Sequence, residues 1–214
     1  LVVKTIAKRH GLHATFMPKP RTDLNGSGMH THITIYKDGN NIFAGDSEGA
    51  SSTLGYSFMA GILKHLPGMM LISNPLINSY KRLYKFLEKM VAYNCQEGER
   101  YAVLQMTDIG RMGAGLVLRT PDAACNPYLM LASVISAGLD GIANNMKLDF
   151  GDDYVKGLPL TLEEAIDAFE KDKFMQSVLG KCMSEKILSQ KKKEWDEYCR
   201  QVTSWEIDKY LDRI

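Results

Sequence analysis

The sequence contains no closely spaced pair of cysteines. Its four cysteines, Cys95, Cys125, Cys182 and Cys199, are scattered along 214 residues. Zinc ribbons require Cys-x-x-Cys pairs and disulfide-rich secreted domains require a denser cysteine framework, so both classes are excluded. Scattered thiols are typical of proteins in a reducing compartment, and we therefore expect a cytoplasmic location.

The sequence also lacks an excess of either charge and a long apolar run. The formal net charge is +1 and the pI is about 7.8, so no overall field attracts nucleic acid or an anionic membrane. The strongest apolar segment, 68–77, is interrupted by Ser73, Asn74 and Pro75, and it is shorter than the ~20 residues that span a bilayer. We expect neither nucleic-acid nor membrane partners, and any recognition of anions must be local.

Apolar residues at helical spacing predict helices over 2–10, 51–65, 127–144, 162–170 and 173–201. Pro67 and Gly68 are expected to end the second of these helices. The third is rich in Leu, Ala and Ile and is expected to lie in the core. Because the chain opens with Leu1 inside a helical pattern rather than with Met, we interpret its start as the result of excision from a longer protein.

Short strands are predicted over 13–17, 29–36 and 42–44. The Asp38-Gly39 pair is a turn signal that would join the last two as a hairpin. Strands and helices occur in separate groups along the chain, which favours an α+β fold over an alternating α/β fold. We find no internal repeat and no linker, and this indicates one domain or part of one.

The predicted strand 29–36 carries the first candidate site. His30, His32 and Thr34 would share one face because side chains two residues apart on a strand point the same way. Two imidazoles on such a face can bind a ligand or a metal in a cleft. The alternative is a pair of partly exposed histidines on an edge strand, since a metal site needs further ligands that this spacing does not supply.

A glycine-rich loop and several arginines form the second candidate. The segment Asn25-Gly-Ser-Gly28 has the composition of an anion-binding nest, although a plain turn between strands also explains it. Arg82, Arg100 and Arg119 each offer a planar fork that suits carboxylate or phosphate. The sequence alone leaves open whether these arginines converge or are solvated surface residues.

Taken in order, these segments resemble the glutamine synthetase family. The matching motifs are HATFMPKP at 13–20, NGSGMHTH at 25–32, NSYKRL at 78–83, NPY at 126–128 and AGLDGI at 137–142, with a C-terminal helix motif at 200–206. The motifs cover nearly the whole chain. The resemblance implies that residues 1–214 are the C-terminal part of the family's half-barrel catalytic domain, in which antiparallel strands pack with helices, and that the N-terminal domain and the first part of the catalytic domain are absent.

The resemblance also implies an activity. In this family ATP phosphorylates the γ-carboxylate of glutamate, and ammonia then displaces the phosphate to give glutamine. Two divalent cations, Mg or Mn, steady the developing charge. The expected partners are therefore glutamate, ATP and ammonium, and family members form double-ring homo-oligomers, typically dodecamers, so we expect a full-length parent to oligomerise.

Four residues are implied to bind glutamate. Asn25 and Gly26 match the positions at which the family's glycine-rich loop contacts the bound amino acid. Arg82 and Arg119 match arginines that hold glutamate carboxylates. These roles agree with the suitability of guanidinium groups for carboxylates.

The remaining implied roles concern nucleotide, metal and catalysis. His30 matches a ligand of the metal nearer the transferred phosphate, and His32 and Thr34 match positions at the nucleotide. Arg100 matches an arginine that neutralises the transferred phosphoryl group. Glu88 matches the flap carboxylate that closes the site and helps to deprotonate ammonium.

The chain departs from the family at several of these places. Where the family has a Pro- and Gly-containing flap, this chain has the good helix formers of segment 84–90, in which only Glu88 is retained. Gln105 and Gly115 stand where the family has arginines, and Val117 stands where it has a metal-ligating Glu. Because Val cannot coordinate a hard cation, we expect this chain to be unable to complete the two-metal site alone and the parent to be an impaired or repurposed member.

Three functions remain open on this evidence. The first is the glutamate–ammonia ligase of the family. The second is a γ-glutamyl ligase for another amine, which the altered flap suggests. The third is a non-catalytic relative that binds glutamate or only forms an oligomer.

Overall fold

The structure, a computed structural model, describes residues 1–44, 52–94, 102–108, 113–151 and 153–213. The helices are α1 (Val2–Arg9), α2 (Thr53–Ser73), α3 (Ile77–Leu87), α4 (Pro127–Ala143), α5 (Leu162–Lys171), α6 (Lys173–Leu179), α7 (Lys181–Cys199) and α8 (Ser204–Tyr210), with a 3₁₀ turn at Tyr154–Gly157. The strands are β1 (Thr31–Ile33), β2 (Tyr36–Lys37), β3 (Asn40–Asn41), β4 (Val91–Asn94), β5 (Ala102–Asp108) and β6 (Ala114–Leu118).

The main sheet has the strand order β1-β6-β5-β4. β6 pairs antiparallel with both β1 and β5, whereas β4 pairs parallel with β5. A separate hairpin joins β2 to β3. The predicted α+β fold is therefore confirmed, with one parallel pair among the predominantly antiparallel strands.

The core lies between this sheet and the helices, and α2 is its central element. Most residues of α2 are buried, including Phe58, Met59 and Leu63. Leu104, Leu116 and Leu118 of the sheet and Phe169 of α5 belong to the same core. Among the residues that the structure describes, no helix combines the length and the apolar character needed to cross a bilayer.

Helix α2 does not end at Pro67, contrary to the sequence prediction. Pro67 lies inside the helix, which continues to Ser73. A proline within a helix leaves the carbonyl four residues earlier without its N–H partner. Here that carbonyl belongs to Leu63, and the Tyr154 hydroxyl donates to it at 2.5 Å. A tertiary hydrogen bond thus compensates for the missing backbone donor.

Other predicted boundaries also differ from the structure. The predicted helix over 173–201 is divided at Gly180, which adopts φ +77° between α6 and α7. The segments 13–17 and 42–44 are not strands, and the hairpin partner of β2 is Asn40–Asn41 instead. Ile42 and Phe43 turn into the core at that point, because burial of two large apolar side chains outweighs continued strand pairing.

Helix α4 is only partly core, which corrects the expectation that it would be buried. Met130, Val134 and Ala137 are buried on one side. Leu131, Ile135 and Leu139, together with Tyr128, are exposed. Because apolar residues occur on all sides of this helix, the sequence did not indicate which side is exposed.

Candidate functional site

The candidate site begins on one face of the main sheet. The register aligns His32 of β1, Val117 of β6 and Gln105 of β5 in one row across the sheet, and residues aligned in this way share a face. Leu116 and Leu118 point into the core, so alternation places Val117 on the opposite side. We call this opposite side the site face.

Arg119, which directly follows β6, contacts Gln105 of β5 and His30, which directly precedes β1. Its Nη2 donates to Gln105 Oε1 at 2.7 Å, and its Nη1 lies 3.3 Å from His30 Nδ1. Because guanidinium nitrogens only donate, His30 Nδ1 is the acceptor in the second contact. Partial desolvation lowers the pKa of His30, and the nearby charges of Arg119 and Arg82 lower it further. His30 is thereby favoured as a neutral imidazole.

Arg82 lies under the glycine-rich loop. Its guanidinium is buried and its Nη2 donates to the carbonyl oxygens of Thr120 and, at 3.3 Å, Pro121. A Cβ at Gly26 would lie 2.7 Å from Arg82 Cγ, and one at Gly28 would lie 2.9 Å from Arg82 Nη1. The two glycines are therefore needed because the loop backbone passes directly over this side chain.

A buried polar network fixes the turn that follows β6. Asn74 Nδ2 donates to Thr120 O at 2.7 Å and to Asp122 Oδ2 at 3.1 Å. The Ser73 hydroxyl donates to Asn74 Oδ1 at 2.9 Å, and Asp122 Oδ1 accepts from the Ala124 amide at 3.0 Å. The Thr120 carbonyl is thus shared by Asn74 and Arg82. The sequence analysis missed this network, for which Asn74 within an apolar run was the available signal.

Gly26→Ala is expected to disturb the site more than the fold. The new Cβ would lie 2.5 Å from Pro18 O as well as against Arg82, so the loop and the arginine must separate. If this loop binds glutamate, as the family resemblance implies, the glutamate affinity of the full-length protein should fall about tenfold or more, since overpacking costs roughly 1–3 kcal/mol. Calorimetry with glutamate checks this, with Gly39→Ala in the exposed β2–β3 turn as a control for general strain.

The structure brings most of the predicted site residues together. Asn25 and Gly26 lie in the exposed loop over Arg82, and His32 is exposed on β1. Thr34 is half-buried just after β1, outside any strand, so the predicted regular strand through 36 is wrong there. Their roles toward ligands stay predictions.

Two further predicted site residues remain, Glu88 and Arg100. Glu88 is exposed in the turn directly after α3. Helix α3 extends as far as Leu87 through the helix formers at the start of segment 84–90, so that this carboxylate follows a helix. Arg100 lies outside the described residues.

The described residues do not by themselves fit a divalent cation. Among them, no group of three His, Cys, Asp or Glu side chains has the geometry of a metal site. Arg119 donates to Nδ1 of His30, and Val117 in the neighbouring row offers no oxygen. Since Mg and Mn require several oxygen ligands, the role of His30 as a metal ligand stays a prediction that depends on ligands from elsewhere.

Comparison with known proteins identifies a family that matches nearly the whole chain. The family described as glutamine synthetase, catalytic domain, matches residues 1–210. The glutamine synthetase of Halobacterium salinarum is 40% identical over 100% of this chain and 50% of its own length. That of Thermus thermophilus is 40% identical over 98% of this chain and 50% of its own length. The chain spans about half the length of the curated relatives it matches.

Solved structures give the same result for the fold. A protein named GmaS, solved without ligand, has a TM-score of 0.82 and 37% identity over 98% of this chain and 51% of its own. The GmaS/ADP complex has a TM-score of 0.82 and 38% identity over 98% of this chain and 52% of its own. A novel glutamine synthase homolog has a TM-score of 0.80 and 26% identity, covering 94% and 49% of the two chains.

Proposed function

Because the chain belongs to the glutamine synthetase catalytic-domain family, we propose that the whole protein is an ATP-dependent glutamate–ammonia ligase. In this reaction a γ-glutamyl phosphate forms first, and attack by ammonia then releases phosphate. We propose residues 1–214 as a part of the catalytic domain that binds the anionic groups of the substrates. The remainder of the site belongs to residues outside this chain.

One observation carries the proposal: Arg119, His30 and Arg82 converge beside the glycine-rich loop. Arg119 contacts His30, and the charge of Arg82 is close enough to lower the pKa of the same histidine. Phosphoryl transfer depends mainly on positioning and on neutralising negative charge. Two guanidinium groups and a neutral imidazole that lie close together supply such an environment for glutamate.

The other residues have the following proposed roles. Asn25 and Gly26 contact glutamate together with Arg82 and Arg119, and His32 and Thr34 lie at the nucleotide. Arg100 neutralises the transferred phosphoryl group. Glu88 closes the site and accepts a proton from ammonium. Similarity to a protein solved with ADP supports nucleotide binding. Mg or Mn, when bound with ligands from the rest of the protein and His30, would offset phosphate charge. The double-ring oligomer and the cytoplasmic location stay predictions.

Coupled ADP release from the full-length protein tests this function. With glutamate, ammonium and Mg or Mn, we expect ammonium-dependent ADP release, and Arg119→Leu should lower kcat/KM for glutamate at least about 100-fold, because a charge-assisted contact and its positioning are both lost. Arg200→Leu removes an exposed arginine that pairs only with neighbouring Asp196 among the described residues, and it should leave kcat/KM unchanged. Absence of turnover that Val117→Glu fails to restore would contradict the proposal.

A second candidate, a γ-glutamyl ligase for another amine, is supported by α3. This helix occupies the first part of the segment that forms the family's flap and places Tyr84 on the surface, where the residue is 57% exposed. A helix that carries a bulky aromatic side chain would change the surface that an incoming amine contacts on its way to the site. Screening ammonium against primary and secondary amines for ATP consumption separates the two candidates. Glutamate binding without ATP consumption for any amine would instead indicate a non-catalytic relative.

A further inference from the structure

Gln105 holds the guanidinium of Arg119 from the neighbouring strand. Its Oε1 accepts from Arg119 Nη2 at 2.7 Å, a short hydrogen bond with a half-buried amide. β5 and β6 pair over five residues, and Gln105 lies directly opposite Val117. The amide therefore comes from a rigid sheet rather than from a loop.

The contact with Gln105 restricts rotation of the Arg119 side chain. The backbone of Arg119 is fixed by its amide, which donates to Val103 O at 3.0 Å. Beyond that point the side chain has several rotatable bonds, and its ordering depends on contacts at the guanidinium. Gln105 Oε1 accepts a hydrogen bond from one terminal nitrogen of Arg119, and His30 Nδ1 accepts one from the other. Because the two contacts lie at different ends of the guanidinium, together they restrict the orientation of its plane.

The chemistry of Gln105 matters as much as its position. An amide oxygen orients a guanidinium without contributing a negative charge. A carboxylate at position 105 would orient it equally well but would offset its charge. Val117, which is 2% exposed and lies in the same row, adds an apolar and uncharged surface beside Gln105. Neither Gln105 nor Val117 therefore offsets the charge on Arg119.

We infer that Gln105 is a positioning residue of the site, which orients Arg119 toward an anionic oxygen of the ligand while leaving its charge intact. The identification of that oxygen as a glutamate carboxylate rests on the proposed function. The shared chemistry of carboxylate and phosphate requires that both be tested. Glutamine is suited to this position because it is a neutral acceptor of the correct length.

Binding measurements on the full-length protein test the inference without requiring turnover. Glutamate and inorganic phosphate are titrated separately by calorimetry, without nucleotide, into the wild type, Gln105→Leu, Gln105→Glu and Gln201→Leu. Gln201 is an exposed glutamine after α7 and serves as the matched control. Thermal unfolding of each variant shows whether it is folded, and Gln105→Asn, whose shorter amide does not reach Arg119, replaces the Leu variant if that protein does not fold.

We expect Gln105→Leu to weaken anion binding roughly tenfold, as for the loss of a hydrogen bond to a charged group, while affinity still falls with added salt. Gln105→Glu should weaken binding at least as much, but its affinity should vary little with salt because the charge on Arg119 is neutralised. In turnover assays, KM for glutamate should rise in both variants while KM for ATP is unchanged. A loss confined to glutamate identifies a carboxylate, and a loss confined to phosphate identifies a phosphoryl group.

Wild-type affinity in Gln105→Leu for both ligands would overturn the positioning role. Undiminished affinity in Gln105→Glu would overturn the requirement for a neutral acceptor. Binding that responds as expected in a protein that releases no ADP would retain this inference and reject the proposed function. Failure of the wild type to bind either ligand would reject the inference.

Discussion

Gly141→Ala is expected to lower the free energy of unfolding by about 3 kcal/mol, the upper end of the cost of overpacking a core. Helices α2 and α4 approach most closely where Gly61 faces Gly141. A Cβ at Gly141 would lie 2.7 Å from Gly61 N and would also overlap the Ser57 carbonyl oxygen. These neighbours are helix backbone, which cannot rotate away as a side chain can. The two helices must therefore separate, and the contacts of Phe58 with α4 are weakened.

Urea unfolding followed by circular dichroism measures this loss. Gly157→Ala is the matched control, since a Cβ there meets nothing within 4 Å and the residue lies in the short 3₁₀ turn. The control should be neutral or slightly stabilising, by less than about 1 kcal/mol, because alanine reduces the entropy of the unfolded chain. A Gly141→Ala protein as stable as the control would show that α2 and α4 are not packed as closely as described.

Local pattern predicted the longer helices of this fold better than their ends, and it did not identify α3 or the strands β4, β5 and β6. The periodicity of Leu54, Phe58 and Ile62 located α2, but the rule that proline ends a helix placed its end too early. The helix continues past Pro67 because the hydroxyl of Tyr154 donates a hydrogen bond to Leu63 O. Tyr154 and Leu63 are 91 positions apart in the sequence. No local pattern reports such a partner. Gly180, in contrast, carried a local signal of a break that the amphipathic pattern obscured.

The site shows the same division between local and long-range information. The chemistry of Arg119 and His30 was evident from residue type, but their contact requires β1 to pair with β6, which are separated by 80 residues or more. Gln105 was noticed only as a departure from the family, and its hydrogen bond to Arg119 depends on the β5–β6 register. Residue types therefore indicated which side chains could bind an anion, whereas strand pairing determines which of them lie together.

His65 forms a second buried polar centre, away from the site face. It lies in α2 with 6% of its side chain exposed. Nδ1 lies 2.8 Å from Asp172 Oδ2, and Nε2 lies 3.0 Å from Asp140 Oδ2. The ring also stacks on Phe174 at 4.5 Å, and Lys64 Nζ lies 3.8 Å from Asp140. An imidazolium, which donates from both nitrogens, satisfies both carboxylates and joins α2 to α4 and to the α5–α6 junction.

This arrangement predicts that stability falls as pH rises. Burial acts to lower the pKa of His65, but the hydrogen bonds and charges of Asp172 and Asp140 outweigh it, so the pKa is raised above its ordinary value. The folded state then binds more protons than the unfolded state, whose histidine titrates near about 6.5. The stabilisation is complete below that pH and is lost as pH rises through the folded-state pKa.

His65→Leu is expected to cost about 3 kcal/mol at pH 6, because removing the imidazolium takes a cation from two mostly buried carboxylates and leaves Asp140 with the more distant Lys64. The difference from the wild type should shrink as pH rises, since the wild type also loses the imidazolium charge. Urea unfolding at pH 6 and pH 9 measures both effects, with the exposed His10→Leu as control. Asp172→Asn separates charge from capping, because Asp172 Oδ1 accepts from Met175 N at 2.9 Å and asparagine retains that oxygen. A His65→Leu deficit that is equal at both pH values would mean that His65 is a neutral packing residue, and the proton-linked bridge between the helices would be rejected.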